Sequence, residues 1–142
     1  MLRSALCCLS IGAALTLVSG CGGSGPNVVP VSGTVTRGGK PVASLHINFM
    51  PEAGRPSWGT SDEQGKFTLN YDPQLSGAEV GKHKVFVTFR HASPKDEMDF
   101  LAGKKTFHPD KKAIEEKYGR FETTPLVIEI KSAGQPVLLE LE

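Results

Sequence analysis

Short segments in which apolar and polar residues alternate recur along most of the chain, and they limit the fold more than any other feature. In Leu45–Phe49 every second residue is apolar, and the same period returns in Val85–Phe89 and Val137–Leu141. This period places the apolar side chains on one face of a β-strand. About seven such segments are present, at 31–36, 45–50, 58–61, 66–69, 84–90, 126–130 and 137–141. They predict an all-β fold, an antiparallel β-sandwich.

One of the connections between these segments contains residues that are typical of a tight turn. Asp62-Glu63-Gln64-Gly65 separates the segments 58–61 and 66–69. An Asp side chain can accept hydrogen bonds from the backbone of such a turn, and Gly readily adopts the positive φ that closes it. We therefore predict that Asp62 stabilises a tight turn, which Gly65 completes.

A long insertion, residues 91–125, precedes the last two strands and has no strand pattern. Ser93 is followed by proline, as is typical of a helix N-cap, and Gly103 can end that helix. A second short helix is predicted from Asp110, as its N-cap, to Tyr118. The insertion is therefore expected to be partly helical.

Two interpretations of this insertion remain open. Ile114 and Tyr118 are four residues apart, so both can pack from one helix face onto the sandwich, and Met98 and Leu101 would share a face of the first helix. In the simpler interpretation the insertion is a flap that covers an open sheet edge or the end of the core. In the other interpretation it is a binding loop on a rigid scaffold.

The N-terminus is typical of an exported protein. A short basic start with Arg3 precedes the apolar segment Ala5–Val18. This segment is shorter than the roughly 20 residues that cross a bilayer, and it fits a secretory signal peptide. Leu17-Val18-Ser19-Gly20-Cys21 resembles a bacterial lipobox, in which the cysteine thiol carries a diacylglyceryl group. The alternative is an ordinary signal peptide cut near Gly20.

We therefore divide the chain into a signal peptide (1–20), a lipidated Cys21 with a flexible tether (21–30) and a β-sandwich domain (31–142). The residues after the cysteine, Gly22 to Asn27, are rich in glycine, as flexible linkers are. In lipoproteins of bacteria with two membranes, Asp after the cysteine often signals retention in the inner membrane. Gly22 occupies that position here, so the resemblance favours the outer membrane.

The charge of the chain excludes one class of partner. It has 16 basic and 15 acidic residues, a formal charge of +1. A broad basic field for nucleic-acid binding would need a clear excess of Lys and Arg. Cleavage would also remove Arg3 and no acidic residue. The exported domain would then be neutral, so we expect the acyl chains on Cys21, and not electrostatic attraction, to hold it on the membrane.

Several motifs of the sandwich segment resemble carboxypeptidase regulatory-like domains. They are Val31–Val35, Gly39–Val42, Ser61–Phe67 and Gly81–Val85. Gly81–Val85 and the closing strand pair also resemble the short lipobox-bearing bacterial members of that group, and the similarity covers most of residues 31–142. It implies a transthyretin-like (prealbumin-like) Greek-key sandwich. It implies no catalytic site, because this domain is the accessory part of the larger enzymes that carry it.

The sequence departs from the pattern of that family at two places. Ser61 stands where Thr is usual, and Ala43-Ser44 replaces the Gly-Ala found in many members. Both Ser and Thr can support the turn that follows.

We find no sequence pattern for catalysis, and we expect the protein not to be an enzyme and to use no cofactor. Five residues of the insertion could converge on a divalent cation: His91, Asp96, Asp99, His108 and Asp110. Solvated loop residues explain them equally well, and the four histidines of the chain lack zinc-site spacing, so we expect no metal site.

Three aromatic residues are candidates for a binding surface. Trp58, Tyr71 and Tyr118 could form a platform for sugars, because planar rings cover the apolar faces of sugars. The alternative is a role in the core or at a sheet edge, which we favour.

The sequence leaves three functions, in decreasing order of preference. The first is a membrane-anchored structural, adhesion or protein-interaction module of the cell envelope, with an envelope protein or polysaccharide as partner. The second is a lipoprotein that binds carbohydrate or a small ligand through the insertion, and the third is a hydrolase. A concave apolar pocket with exposed Trp58 or Tyr118 would favour the second function. Histidines and carboxylates together in a cleft would favour the third.

Overall fold

The computed structural model describes residues 25–91, 93–106 and 108–142, which are mostly β-strands with two short helices. The strands are β1 (Val28–Val29), β2 (Ser32–Arg37), β3 (Lys40–Pro41), β4 (Leu45–Pro51), β5 (Ser57–Thr60), β6 (Lys66–Thr68), β7 (Ala78–Glu79), β8 (Gly81–Phe89), β9 (Val127–Ile130) and β10 (Val137–Leu141). The helices are α1 (Pro94–Leu101) and α2 (Pro109–Tyr118). The seven strands with three or more residues correspond to the seven predicted segments.

The first sheet is antiparallel, with the strand order β5-β4-β8-β9. The alternation seen in the sequence explains which side faces the core. Leu45, Ile47 and Phe49 of β4 are fully buried, and so are Val85 and Val87 of β8. The residues between them face away from the core and are half-buried.

The second sheet contains β10, β2, β3 and β6, with β2 at its centre. β3 and β6 pair with β2 in antiparallel orientation, but β10 runs parallel to it, from Val137 opposite Gly33 to Leu141 opposite Arg37. The prediction of a wholly antiparallel sandwich is therefore wrong for this pair. The turn before β10 connects strands of different sheets, so it does not impose an antiparallel direction. Only a tight hairpin within one sheet would force the antiparallel direction.

The two larger sheets share one hydrophobic core. The ring centroids of Phe49 in β4 and Phe67 in β6 lie 6.4 Å apart, one from each sheet. Val35 of β2 and Leu139 and Leu141 of β10 are buried in the same cluster. This arrangement agrees with a sandwich-like all-β fold, as the alternation predicted.

A small third sheet involves the segment that we predicted to be a tether. Val28 and Val29 form β1, which pairs antiparallel with Glu79 and Ala78 of β7. Val29 also packs against the core, and Val31 is buried. The ordered sandwich thus extends to residue 28, into the range 21–30 that we had assigned to the tether.

The turn at Asp62 forms as predicted. The Asp62 carboxylate accepts hydrogen bonds from the backbone N–H groups of Gln64 (2.9 Å) and Lys66 (2.8 Å). Gly65 has a φ of 72°, in the left-handed region that favours glycine.

Both predicted helices of the insertion are present, and one begins differently from our prediction. Ser93 is the N-cap of α1, and its hydroxyl accepts from the N–H of Asp96. The N-cap of α2 is His108 and not Asp110, because Pro109 already occupies the first helical position and the His108 ring accepts from the N–H of Asp110. In the described part of the chain, neither helix has the length and apolar character needed to cross a membrane.

Candidate functional site

A cleft of about 430 Å³ lies at one end of the first sheet, under the insertion. β4 begins there, and β5 and β8 end there. Leu45 is opposite Phe89 in the pairing of β4 with β8, so Ser44 and Arg90 are the next residues outward on the two strands. The cleft is lined by Ser44, Thr60, Ser61, Arg90, His91, Asp96, Phe100, Lys105, Thr106 and Lys111.

Helix α2 holds the insertion against the sandwich. Ile114 and Tyr118 are buried in the core cluster, as their spacing predicted. The Tyr118 hydroxyl oxygen accepts from the N–H of Glu142 at 3.1 Å. Glu115 accepts from the N–H of Phe89 at 2.8 Å, so the helix bonds to the end of β8.

The sequence patterns did not indicate a role for Glu115. The residue is half-buried and satisfies a backbone donor of β8, while its neighbour Glu116 is exposed and pairs with Lys112. A signal for this was present, because Glu115 lies three residues before Tyr118 and so shares its buried face.

The backbone at Ser44 has an unusual conformation at the rim of the cleft. Ser44 has a φ of 60°, and among the described residues it is the one non-glycine residue with a positive φ. Its N–H donates to the Ser61 carbonyl oxygen at 3.0 Å. Ser61 in turn donates from its hydroxyl to the Val42 carbonyl oxygen (2.7 Å) and accepts from the N–H of Leu45 (3.0 Å). These bonds on both sides hold Ser44 in a conformation that costs about 1 kcal/mol for a residue with a Cβ.

The one carboxylate in the cleft is already paired. Asp96 accepts hydrogen bonds from the Lys105 ammonium and from the Ser93 hydroxyl. These bonds, that from Lys105 first, lower the pKa of Asp96, and the same pair raises the pKa of Lys105. The Asp96 carboxylate therefore offers little unbalanced negative charge to a ligand.

Two cations of the cleft have no such partner. Arg90 and Lys111 form no ion pair with any residue in 25–91, 93–106 or 108–142. Lys111 stacks over the ring of Phe89, with its Nζ 4.8 Å from the centroid, and is half-buried. The positive charge of Arg90 also acts on His46, whose pKa is lowered by burial and by Arg90. His46 is therefore neutral at pH 7.

The five residues considered for a metal site are engaged elsewhere. Besides Asp96 in its pair with Lys105, Asp99 lies 3.9 Å from Lys104. Asp110 binds Arg37 at 3.2 Å and lies 3.3 Å from His108, and the ring of His91 lies 4.9 Å from that of Phe100. No group of three or more potential metal ligands occurs within the part of the chain that the structure describes.

The three aromatic candidates do not form a common exposed face. Trp58 is half-buried on the edge strand β5, and its backbone pairs with Asn70. Tyr71 and Tyr118 are only 8% and 2% exposed. The Tyr71 hydroxyl donates to Glu79 at 2.8 Å, which raises the pKa of that tyrosine. The two tyrosine rings thus serve the packing of the domain and offer no open face to a sugar.

The cleft contains a histidine and a carboxylate, but the groups that a hydrolase would use are occupied. His91 and Asp96 both line it, together with the hydroxyl of Ser61. The carboxylate of Asp96 accepts from Lys105 and Ser93, and the Ser61 hydroxyl donates to a backbone carbonyl. These contacts use the acid and the hydroxyl that a Ser-His-Asp triad would need at this place.

Comparison with known proteins does not identify a relative. No family model, no curated protein and no solved structure matches the chain. The resemblance to carboxypeptidase regulatory-like domains therefore stays a prediction. The signal peptide at 1–20 and Cys21 lie outside the described residues, so their assignment rests on the sequence.

Proposed function

We propose that this protein is a lipid-anchored, non-catalytic binding module of the bacterial cell envelope. The observation that carries the proposal is the lipobox Leu17–Cys21, directly after the apolar segment of a signal peptide. Each buried acyl methylene contributes about 0.8 kcal/mol, so several acyl chains on Cys21 hold a neutral domain on a membrane. Gly22 after the cysteine favours the outer membrane.

The domain on this anchor is proposed to be a transthyretin-like Greek-key sandwich of the carboxypeptidase regulatory-like type. Two sheets around one core support this, as do the roles of two motif glycines. Gly33 in the first motif has no room for a side chain, because a Cβ there would overlap with the backbone carbonyl oxygen of Val137 in β10 and with the ring of Phe67. Gly65 in the third motif has the positive φ that its turn requires.

An envelope protein or polysaccharide is the proposed partner. The edge strands of the two sheets support a surface for association. β9 ends the first sheet and exposes 59% of Val127, and β10 ends the second and exposes 63% of Leu138. Edge strands with exposed apolar side chains can pair with a further strand or pack against another surface.

Binding of a small ligand is a second candidate function, and the cleft at Ser44 and Arg90 favours it. Its volume of about 430 Å³ lies within the range of small-molecule sites. Most of its lining residues are polar or charged, with the one ring of Phe100 among them, and neither Trp58 nor Tyr118 lines it, unlike the apolar pocket that we expected for a sugar site.

The anchor is tested by replacing the proposed acylated cysteine in the full-length protein. Cys21→Ser is expected to move the protein from the membrane fraction to the soluble fraction and to abolish its labelling with a radioactive fatty acid. Cys8→Ser is the matched control, because Cys8 would leave with the signal peptide and its loss should change neither result. Unchanged acyl labelling of the Cys21→Ser protein would contradict the proposal.

A further inference from the structure

Two of the cations that line the cleft at Ser44, Arg90 and Lys111, form no ion pair among the described residues, although the chain as a whole is almost neutral. Three carboxylates near the cleft have a cation partner: Asp96 with Lys105, Asp110 with Arg37, and Glu142 with Lys117. Glu115 instead accepts from the backbone N–H of Phe89, and Glu97 lines an adjoining groove. Arg90 and Lys111 remain without an ion-pair partner among the described residues.

We propose that this cleft binds the carboxylate or phosphate group of a small ligand between Arg90 and Lys111. The inference deepens the ligand-binding candidate and does not depend on the lipid anchor. Arg presents several N–H donors in a planar fork that matches the oxygens of a carboxylate or phosphate. Lys111 adds a point charge from α2, where its ammonium group lies over the ring of Phe89.

Neutral donors complete the recognition of an anionic group. Ser44, Thr60 and Thr106 line the same cleft, and hydroxyl groups can donate to anionic oxygens, although the Thr60 hydroxyl also lies 3.4 Å from the His46 ring nitrogen. The fixed backbone at Ser44 places this residue beside Arg90 at the rim. Strained backbone that the surrounding hydrogen bonds hold in place occurs most often at binding and active sites.

A second cleft provides space for the rest of the ligand. It has a volume of about 710 Å³ and shares Ser44 and Lys111 with the first. Its lining includes apolar side chains, Pro41, Val42 and Phe89, and the cation Lys40. An anionic group at Arg90 and Lys111 would therefore stand at the junction of a polar cleft and a larger, partly apolar one.

The experiment is a titration of the full chain in a neutral detergent, followed by backbone amide chemical shifts. The probes are inorganic phosphate, glucuronate and glucose, all at constant ionic strength, because salt screens such interactions. We expect phosphate, glucuronate or both to shift the amides of Ser44, Arg90 and Lys111. Glucose, which has the same ring without the carboxylate, should not shift them. A response to one anion alone identifies the source of the charge.

Charge-neutral variants test the two cations. Arg90→Gln and Lys111→Gln should each weaken anion binding by about tenfold, which corresponds to the loss of a hydrogen bond to a charged group. Lys82→Gln is the matched control, because Lys82 is exposed at the other end of β8 and its loss should leave the affinity unchanged. Backbone amide spectra of the free variants show whether each of them is folded.

Three results would overturn the inference, and they bear differently on the wider proposal. Equal shifts with glucose and glucuronate would reject recognition of charge but leave ligand binding standing. An equal loss of affinity in Lys82→Gln would show that the anion responds only to the general charge of the surface. The absence of any shift with all three probes would reject both the inference and the ligand-binding candidate. None of these results affects the test of the anchor at Cys21.

Discussion

The two helices of the insertion have the same local signals and different relations to the core. Each begins with a capping side chain and a proline at its first turn, and each carries an apolar pair spaced for one helix face. In α2 the pair Ile114 and Tyr118 is buried. In α1 no residue is buried, and Met98 and Leu101 are 67% and 75% exposed.

The two helices differ because α2 packs against an edge of β8 in the first sheet. β9 pairs with the first part of β8, residues 81–84, and within the described part of the chain no strand pairs with the rest of β8 on this side. α2 packs there, and Glu115 accepts from the N–H of Phe89. α1 precedes α2 in the insertion and buries none of its residues. Spacing within a helix thus predicts which residues share a face, while the sheet decides whether that face is buried. The flap interpretation describes α2 well and α1 poorly.

The largest difference between the two helices is expected when an apolar side chain is removed from each of them. Ile114→Ala should lower the free energy of unfolding by about 2–5 kcal/mol, because it leaves a cavity in the core. Leu101→Ala, the matched change in α1, should alter it by less than about 0.5 kcal/mol, as exposed positions do. Urea denaturation of both variants measures the two values.

Ile114→Val provides a graded control for the first test. It removes a single methylene and should cost about 0.5–1.5 kcal/mol. Similar losses for Ile114→Ala and Leu101→Ala would contradict the distinction between the two helices.

The second test removes the bond between α2 and the strand. Glu115→Ala should destabilise the domain by about 1–3 kcal/mol, because the N–H of Phe89 would lose its acceptor in a partly buried place. Glu116→Ala removes the adjacent exposed carboxylate and its pair with Lys112, and should cost less than about 0.5 kcal/mol.

A change that keeps the acceptor separates the hydrogen bond from the charge. Glu115→Gln retains a side-chain oxygen and should recover most of the stability that Glu115→Ala loses. If the two substitutions at residue 115 destabilise the domain equally in thermal unfolding, the bond to Phe89 does not hold the helix.

Much of the strand structure follows from alternation alone, because burying one face of a sheet requires apolar side chains at every second position. Leu45, Ile47 and Phe49 are predicted to face the core and do so. The sheet to which a strand belongs is not a local property. Ile130 and Val137 are separated by a short turn, yet their strands belong to different sheets, and nothing in that turn predicts the parallel pairing of β10.

The candidate cleft could not be predicted from the sequence either, because it also depends on contacts that are not local. Ser44 and Arg90 meet because β4 and β8 pair in one register, and Lys111 joins them through the packing of α2. Residues that are separate in the sequence become a site only through these tertiary contacts. By contrast, the caps of the helices depend on neighbouring residues. Ser93 was predicted as a cap, and the shift from Asp110 to His108 at α2 reflects the preference of proline for the first helical position.

The smallest effect should come from acidification, and it should again separate the helices. Hydrogen bonds from Lys105 and Ser93 hold the pKa of Asp96 below its ordinary value of 3.8. Their contribution is complete above that value and is lost as the pH falls through the lower pKa of the folded state. Between about pH 5 and 2, the helical Cα chemical shifts of α1 should therefore decline while those of α2 persist, because α2 is held by buried side chains. In Asp96→Asn the shifts of α1 should be reduced already at neutral pH and should no longer change over this range. Loss of both helices at one pH, or an unchanged transition of α1 in Asp96→Asn, would show that this carboxylate does not control α1.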